Sequence, residues 1–266
     1  MDLALKGKNV VVVGGSSNIG RAISLAFARE GAGVAVVARH VDDCQKVADV
    51  AMNQGASRAI AIGADVTKLL DVERMIQETL REFNKIDVLV ISMGWNTLGY
   101  FTDIDPKWWG KIIDTNYINV LNCFKVVLPL MTNQKSGNIV TITSVIGRKG
   151  DPTESVYGGL KAAEILFSRC IAQQAASDRV RINCVAPGLT VPVGPETLGG
   201  DSVWKGTFTP EQQEELIKEA EELIPLGKVA KPTDVAYAVL FLASDVTAGH
   251  ITGTVLGVDG GLYMGW

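Results

Sequence analysis

The sequence predicts an α/β chain folded as one doubly wound parallel sheet flanked by helices, and three observations carry that prediction. Short apolar runs rich in valine and isoleucine alternate along the chain with longer segments of helical periodicity. The apolar runs are near-continuous rather than alternating, which is the pattern of strands buried on both faces. The first run, Asn9 to Val13, ends in a glycine-rich turn that opens a helix.

The elements follow in order. After the Asn9–Val13 strand, Ile19 to Glu30 is helical, with Ile23, Phe27 and Ala28 on one side. Gly31-Ala32-Gly33 breaks that helix, and Val34 to Ala38 is the second strand. Val41 to Gln54 is helical, Arg58 to Ile62 a strand, Leu70 to Phe83 helical and Val88 to Ile91 a strand. Asp105-Pro106 starts a long helix, with an N-cap aspartate and a proline in the first turn. Asn138 to Thr143 is a strand, Val156 to Ala176 a helix and Val180 to Val185 a strand. Thr209-Pro210-Glu211 opens another helix, Thr233 to Ser244 forms one more, and Thr254 to Val258 is the last strand. Repeated β-α order gives a Rossmann-type open sheet. No linker divides it, so residues 1–266 are expected to form a single domain. From Leu189 to Thr209 the chain is irregular, with Pro192, Pro195, Trp204 and Phe208, and a loop of that length reads as a lid over about 189–223.

Bulk composition narrows the function classes. A hydrophobic share of 47% in 266 residues supplies a large core, and a net charge of -4 offers no electrostatic case for nucleic acid or an anionic membrane surface. No uncharged apolar run reaches membrane-spanning length, and Met1-Asp2-Leu3 begins no secretory leader, so a cytoplasmic protein is expected. Cys44, Cys123, Cys170 and Cys184 form no Cys-x-x-Cys pair and read as small buried hydrophobes. His40 and His250 have no ligand partner at useful spacing, so no metal site and no histidine triad is expected.

Two motifs carry chemistry. The turn Gly14-Gly15-Ser16-Ser17-Asn18-Ile19-Gly20 lies between a strand and a helix, where backbone N–H groups and the helix dipole hold a pyrophosphate. The second motif is Tyr157-Gly-Gly-Leu-Lys161, with tyrosine and lysine on one helix face. A phenol of reference pKa about 10 is a poor base, and a neighbouring ammonium favours its phenolate. Ser144, at the end of the Asn138–Thr143 strand, can reach the same reacting oxygen above the sheet's carboxyl edge.

With these motifs the chain resembles the short-chain dehydrogenase/reductase family over nearly its whole length. Gly14 and Gly20 match the outer glycines of that family's turn, with Val13 and Asn18 standing at its threonine and middle glycine. Asparagine tolerates the left-handed backbone that such a glycine supplies. Asn116 in Asp114-Thr115-Asn116-Tyr117 matches the asparagine that completes a tetrad with Ser144, Tyr157 and Lys161. Pro187-Gly188, Asp65-Val66, Ile251-Thr252-Gly253 and Val258-Asp259-Gly260-Gly261 match further family segments. Two departures stand out: Ile91-Ser92-Met93-Gly94 keeps only the glycine of the usual Asn-Asn-Ala-Gly, and Pro192 replaces a threonine, with Thr190 two residues earlier.

The resemblance implies a nicotinamide cofactor held by Gly14, Ser16, Ser17, Asn18, Ile19, Arg39, His40, Asp65, Val66, Gly94, Tyr157, Lys161, Pro187, Gly188 and Thr190. The family's aspartate position at the end of the second strand is Ala38, followed by Arg39. A guanidinium grips a 2′-phosphate and no carboxylate repels it, which favours NADP over NAD. The resemblance further implies that Ser144 and Tyr157 hydrogen-bond the reacting oxygen, with Tyr157 as the acid/base. Lys161 would hold the phenolate and the nicotinamide ribose, and Asn116 would position a water. Trp95, Ile146 and Trp204, with Phe208, are expected to line the substrate pocket, and Arg148 and Lys149 are available to an anionic carrier such as coenzyme A. The expected activity interconverts a secondary alcohol and a ketone that is cyclic, aryl or medium-chain. The alternatives are a hydroxyacyl thioester dehydrogenase or ketoacyl reductase, and a weakly active regulatory subunit of a hetero-oligomeric dehydrogenase. A homotetramer or homodimer is expected to form through helices Asp105–Met131 and Thr153–Ser177.

Overall fold

Seven strands form the sheet: β1 (Asn9–Val13), β2 (Gly33–Ala38), β3 (Arg58–Gly63), β4 (Val88–Ile91), β5 (Gly137–Ile142), β6 (Val180–Pro187) and β7 (Val255–Val258). The computed structural model describes residues 1–194, 197–199 and 209–265. All neighbouring strands are parallel, in the order β3-β2-β1-β4-β5-β6-β7. Val10 lies opposite Val34 on one side and Val88 on the other, so the chain reverses its winding direction between β1 and β4. The carboxyl ends of those two strands therefore border the crevice where doubly wound sheets bind ligands.

Alternate residues of each strand feed two cores, because successive side chains point to opposite faces. Val10, Val12, Val34 and Val36 pack with Ile23 and Phe27 of α1 (Asn18–Arg29) and Val47 of α2 (Val41–Asn53). Val11, Val13, Ala35 and Val37 face the other way, toward Met75 and Ile76 of α3 (Leu69–Phe83). Every residue of β1 after Asn9 is buried, as its uninterrupted valines require.

Three details differ from the expectations. The helix opened by Asp105 is not continuous. Asp105 does cap the first turn, accepting the Lys107 N–H at 2.9 Å, but Pro106–Trp108 is a 3₁₀ turn. It is followed by α4 (Trp109–Ile113), a single π-turn over Asp114–Ile118, and α5 (Asn119–Gln134). The physical reason is Asn116, whose side-chain Nδ2 donates to the Ile112 carbonyl at 2.8 Å. That carbonyl is the acceptor an α-helical Asn116 N–H would use, and a side chain inserted into the ladder breaks it locally. Two four-residue helices, α6 (Ile146–Lys149) and α10 (Asp245–Ala248), are too short to leave a periodic signal. They flank α7 (Ser155–Ala175), α8 (Pro210–Leu223) and α9 (Pro232–Ala243) in chain order. The expectation of four buried cysteines holds for Cys44, Cys123 and Cys184, whereas Cys170 is exposed. On α7 the inward positions are Ser168 and Ala172, and Cys170 lies between them on the outer side. Burial pushes the Cys44 and Cys123 thiols up to about 11 and about 12, so neither is a nucleophile near neutral pH.

Among the described residues no group of histidine, cysteine and carboxylate side chains could hold a metal, and no helix is long and apolar enough to cross a membrane.

Candidate active site

The glycine turn after β1 is a structure of backbone against backbone. Gly14 has φ +76°, and a Cβ there would overlap the carbonyl of Ser92 in the turn after β4. A Cβ on Gly20 would overlap the Gly14 carbonyl, so α1 rises directly off the loop. Asn18 takes the left-handed conformation expected of it, with φ +40°. Ser17 is the N-cap of α1, and its side chain caps no N–H group. The first N–H donors of α1 and its dipole are thus aimed at the mouth of the turn, the arrangement that receives a phosphate. Ser16, Ser17 and Ile19 are half-buried around it.

A cavity of about 480 Å³ opens beside this turn, bordered by Arg39, Asp65, Met93, Gly94, Trp95 and Lys111. Arg39 follows β2 directly, as the sequence placed it. His40 is exposed at the N-cap of α2 and caps nothing there. Burial pushes the Asp65 carboxyl up, but the Thr67 hydroxyl and N–H and Lys68 outweigh it and hold that carboxyl below the usual range. Val66 is buried, and its carbonyl accepts Asn122 Nδ2 at 3.1 Å. A cradle that a Cβ would fill, helix-terminal donors and Arg39 on a rim of mixed charge fit a dinucleotide.

Gly94 shows why one residue of its segment matches the family while three do not. A Cβ there would sit 3.0 Å from Asn116 Oδ1 and 3.6 Å from Lys161 Nζ, so a side chain would press on the Asn116 amide. Ser92 acts through its backbone: its N–H donates to Val13 O at 2.9 Å, and its carbonyl lies against Gly14. The side chain of Ser92 is therefore replaceable, whereas Ile91 and Met93 pack in or against the core as apolar substitutes for the family's residues.

The tetrad assembles at the carboxyl ends of β4 and β5. Asn116 is fully buried in the π-turn, donating to Trp95 O at 2.6 Å and accepting Trp95 N–H at 3.3 Å. Its amide therefore ties the Gly94–Trp95 turn to α4. Ser144 follows β5, and its Oγ accepts the Ile146 N–H at 3.2 Å. The Ser144 hydroxyl lies close enough to the Tyr157 phenol to favour its ionised form. The Tyr157 residue keeps some exposed surface while its phenol is enclosed. Burial raises the phenol above its usual range; Lys161 and Ser144 oppose that rise, and Glu154 and Glu164 add to it. Lys161 Nζ is 5.6 Å from the centre of the Tyr157 ring and 1% of the residue is exposed. Gly147 lets the turn after Ser144 lie against α7, since its Cβ would fall 2.7 Å from the Lys161 carbonyl carbon.

Pro187 ends β6, and Gly188 passes within 3.1 Å of Asp259 measured from the position of a Cβ. Thr190 Oγ1 donates to Gly188 O at 3.1 Å, and residues 189–191 are tied to Ala230 by backbone bonds. A Cβ on Gly199 would lie 2.9 Å from Ser17 Oγ, so the chain at 199 passes over the glycine turn.

The expected substrate wall is not one surface. Trp95 borders the 480 Å³ cavity, with Lys111 Nζ 3.8 Å above its ring and Trp108 at 5.5 Å. Ile146 instead packs on Gly158 and borders a separate cleft of about 300 Å³. Trp204 and Phe208 lie outside the described residues. Arg148 is committed to the C-terminal segment, over the Tyr263 ring at 4.6 Å and donating to Gly265 O at 3.0 Å, which leaves Lys149 as the exposed cation there.

Sequence reasoning missed Glu154, Glu164 and Lys111. Glu154 accepts Asn96 Nδ2 at 2.7 Å and burial raises its carboxyl. Glu164 holds Lys161 from beneath. The available signal for Glu164 was a lone carboxylate three residues after Lys161 on an apolar helix face.

Comparison with known proteins agrees with this geometry. The family model described as Enoyl-(Acyl carrier protein) reductase matches residues 13–263. The chain is 36% identical over 258 residues to a 3-oxoacyl-(acyl-carrier-protein) reductase of Staphylococcus epidermidis, covering 97% of this chain and 99% of that protein. It is 35% identical over 263 residues to one from Synechocystis sp., covering 98% and 99%. A solved structure from Sinorhizobium meliloti described as a short-chain alcohol dehydrogenase superposes with a TM-score of 0.87 at 27% identity, covering 98% of each chain.

Proposed function

The chain belongs to the short-chain dehydrogenase/reductase family and is an oxidoreductase acting on CH–OH groups with a nicotinamide cofactor; from that premise we propose that it reduces 3-oxoacyl thioesters to 3-hydroxyacyl thioesters with NADPH. The observation carrying the acid/base part is the convergence of Ser144, Tyr157 and Lys161 at one point, with Asn116 fixing the turn above them. The thioester is supported by relatives of that activity, 33–36% identical over 97–98% of the chain.

Ser144 and Tyr157 hold the substrate carbonyl oxygen, and the Tyr157 phenol gives it a proton during reduction. Positioned acid/base groups contribute roughly a hundred- to ten-thousand-fold. Lys161 keeps a positive charge beside the resulting phenolate. Asn116 acts by holding Gly94 and Trp95, because its side-chain atoms are engaged by backbone. When bound, the cofactor supplies the hydride. Gly14, Ser16, Ser17, Asn18 and Ile19 hold its pyrophosphate at the start of α1. Asp65, Val66 and Gly94 border its adenosine half, and Pro187, Gly188 and Thr190 its nicotinamide half. Arg39, with His40 beside it, takes the 2′-phosphate that selects NADP.

The expected lid over about 189–223 falls partly outside the described residues, which leave out 195–196 and 200–208; in its described part none of the α8 side chains is buried, and α8 is the element that closes over the cofactor. Unchanged hydrogen exchange across α8 on adding NADPH argues against that lid. The enzyme is cytoplasmic and forms a homotetramer or homodimer, which light scattering at micromolar concentration checks.

Turnover of 3-oxoacyl-CoA thioesters and of cyclic, aryl and medium-chain ketones, each with NADPH and NADH, tests the function. A thioester preferred at least tenfold in kcat/KM supports it. Preference for an aryl or cyclic ketone transfers it to a secondary alcohol dehydrogenase, which the Trp95–Trp108 wall favours. No turnover, with no NADPH fluorescence enhancement, leaves the regulatory subunit.

A further inference from the structure

Glu164 is 1% exposed on α7, one turn beyond Lys161 and two beyond Tyr157. Its two oxygens lie 3.2 and 3.1 Å from Lys161 Nζ, and the Ile142 carbonyl of β5 lies 3.3 Å from the same nitrogen. An ammonium has three donors. In this structure three acceptors at the floor of the site compete for them, on the side of β5 and the helix. A buried carboxylate is unfavourable unless it is paired, and Lys161 is the only cation bonded to this one among the described residues. Cys184 of β6 is near enough to feel the Glu164 charge, and its hydrogen-bond partners are uncharged. Thr141 Oγ1 of β5 is 3.4 Å from Ser168 Oγ and 3.1 Å from Cys184 Sγ of β6, and burial raises that thiol.

We propose that Glu164 is a positioning residue that holds the Lys161 ammonium in the floor of the site and offsets part of the charge Lys161 presents to Tyr157. The proposal rests on the reading of Tyr157 and Lys161 as the acid/base pair. Its electrostatic sense follows from the neighbours. Burial is the largest influence on Tyr157 and raises it; Lys161 lowers it, while Glu154 and Glu164 raise it further. Burial pushes Glu164 itself up to about 7 against the pull of Lys161. Burial acts to lower Lys161, and Glu164 and Tyr157 together outweigh it and raise it. The elements packed against α7 carry Arg148 and Lys149 on α6, Lys111 on α4, Asp114 and Tyr117 in the π-turn, Arg181 and Cys184 on β6 and Asp178 in the 3₁₀ turn after α7, and α7 itself adds Arg169 and Lys161; of all these groups only Lys161 acts on Glu164 alongside burial.

The sign is then determined. An ionised Glu164 opposes Lys161 at the phenol, so Tyr157 keeps its proton to higher pH. A neutral residue at 164 leaves Lys161 unopposed, and the phenolate forms at lower pH. Glu164→Gln and the apolar Glu164→Leu should both move the Tyr157 titration down, by at most about one pH unit, the low end of what a directly adjacent charge does. Glu164→Asp, which keeps a carboxylate, should return most of that shift.

Two readouts test this. The first is ultraviolet difference titration at the phenolate band, each protein measured against the same protein carrying Tyr157→Phe, without cofactor or substrate. The second is the pH dependence of kcat for 3-hydroxybutyryl-CoA oxidation, whose acid limb should move the same way. A shift in the neutral variants that Asp reverses establishes the role. An unshifted titration and limb in whichever neutral variant folds overturns it and leaves Glu164 a packing residue. If Tyr157→Phe itself keeps more than a tenth of wild-type turnover, the acid/base reading fails instead, and the difference titration still reports on Glu164.

Discussion

The two halves of the site are built from different material. Around β1 and α1 the structure uses main chain: Gly14 against the Ser92 carbonyl, Gly20 against the Gly14 carbonyl, and uncapped N–H groups at Ser17. Around β5 and α7 it uses polar side chains: the buried Asn116, Ser144, Lys161 and Glu164, and the half-buried Tyr157. The first half departs from the family pattern at Val13, Asn18 and Ile91-Ser92-Met93, and the geometry survives because those side chains were not what held it. The second half matches the pattern at every tetrad position. A site of backbone atoms tolerates new side chains wherever a Cβ has room, whereas a site of side chains tolerates few.

The largest effect that can break this contrast lies in the second half. Tyr157→Phe keeps the ring and removes only the proton-transfer group. Turnover should fall at least a hundredfold, with the melting temperature within about 3 °C of wild type. Retained activity above about a tenth would mean that a proton reaches the oxygen by another route.

Next comes a backbone position. Gly20→Ala adds one methyl group where the Gly14 carbonyl already stands. Overpacking of this kind costs about 1–3 kcal/mol, and the displaced turn should weaken NADPH binding by about tenfold or more. Fluorescence titration and a thermal melt measure both. Wild-type affinity would show that the turn yields, and that its glycine is not a geometric requirement.

Arg39→Asp probes a side chain within the backbone half. A charge-assisted hydrogen bond contributes about 1.5–3 kcal/mol, so the NADPH dissociation constant should rise about tenfold or more while that for NADH changes little. Equal changes for the two cofactors would remove Arg39 from cofactor selection.

What was legible in the sequence follows the same division. Strand positions were readable because runs such as Val10–Val13 are buried on both faces and need no tertiary knowledge to recognise. Tyr157 and Lys161 were readable because helical spacing alone places them together. The π-turn at Asn116 was not, since it depends on an amide meeting Trp95 and Ile112 across 21 and 4 residues. Glu164 was visible as a letter, but a lysine and a glutamate three apart read as a solvated pair until packing buries both. Trp95 and Ile146 each follow a site residue in sequence, yet the turns after β4 and β5 diverge and deliver them to different clefts.

The smallest effect sharpens the contrast most, because it asks whether a side chain in the glycine turn matters at all. Asn18 occupies a left-handed position, φ +40°, and its Oδ1 is buried with no hydrogen-bond partner among the described residues. Asn18→Gly relieves the backbone and removes the orphaned oxygen, whose desolvation costs about 1–3 kcal/mol. Against that, glycine adds freedom to the unfolded chain, which costs about 0.5–1 kcal/mol. The net expectation is a stabilisation of about 1 kcal/mol, or about 2–4 °C in melting temperature for a chain of this size. NADPH affinity should stay within about threefold, since the N–H donors of α1 are unchanged. A fall in melting temperature, or a loss of affinity near tenfold, would show that the Asn18 amide has a partner in the bound state. The glycine turn would then be a side-chain site at one position.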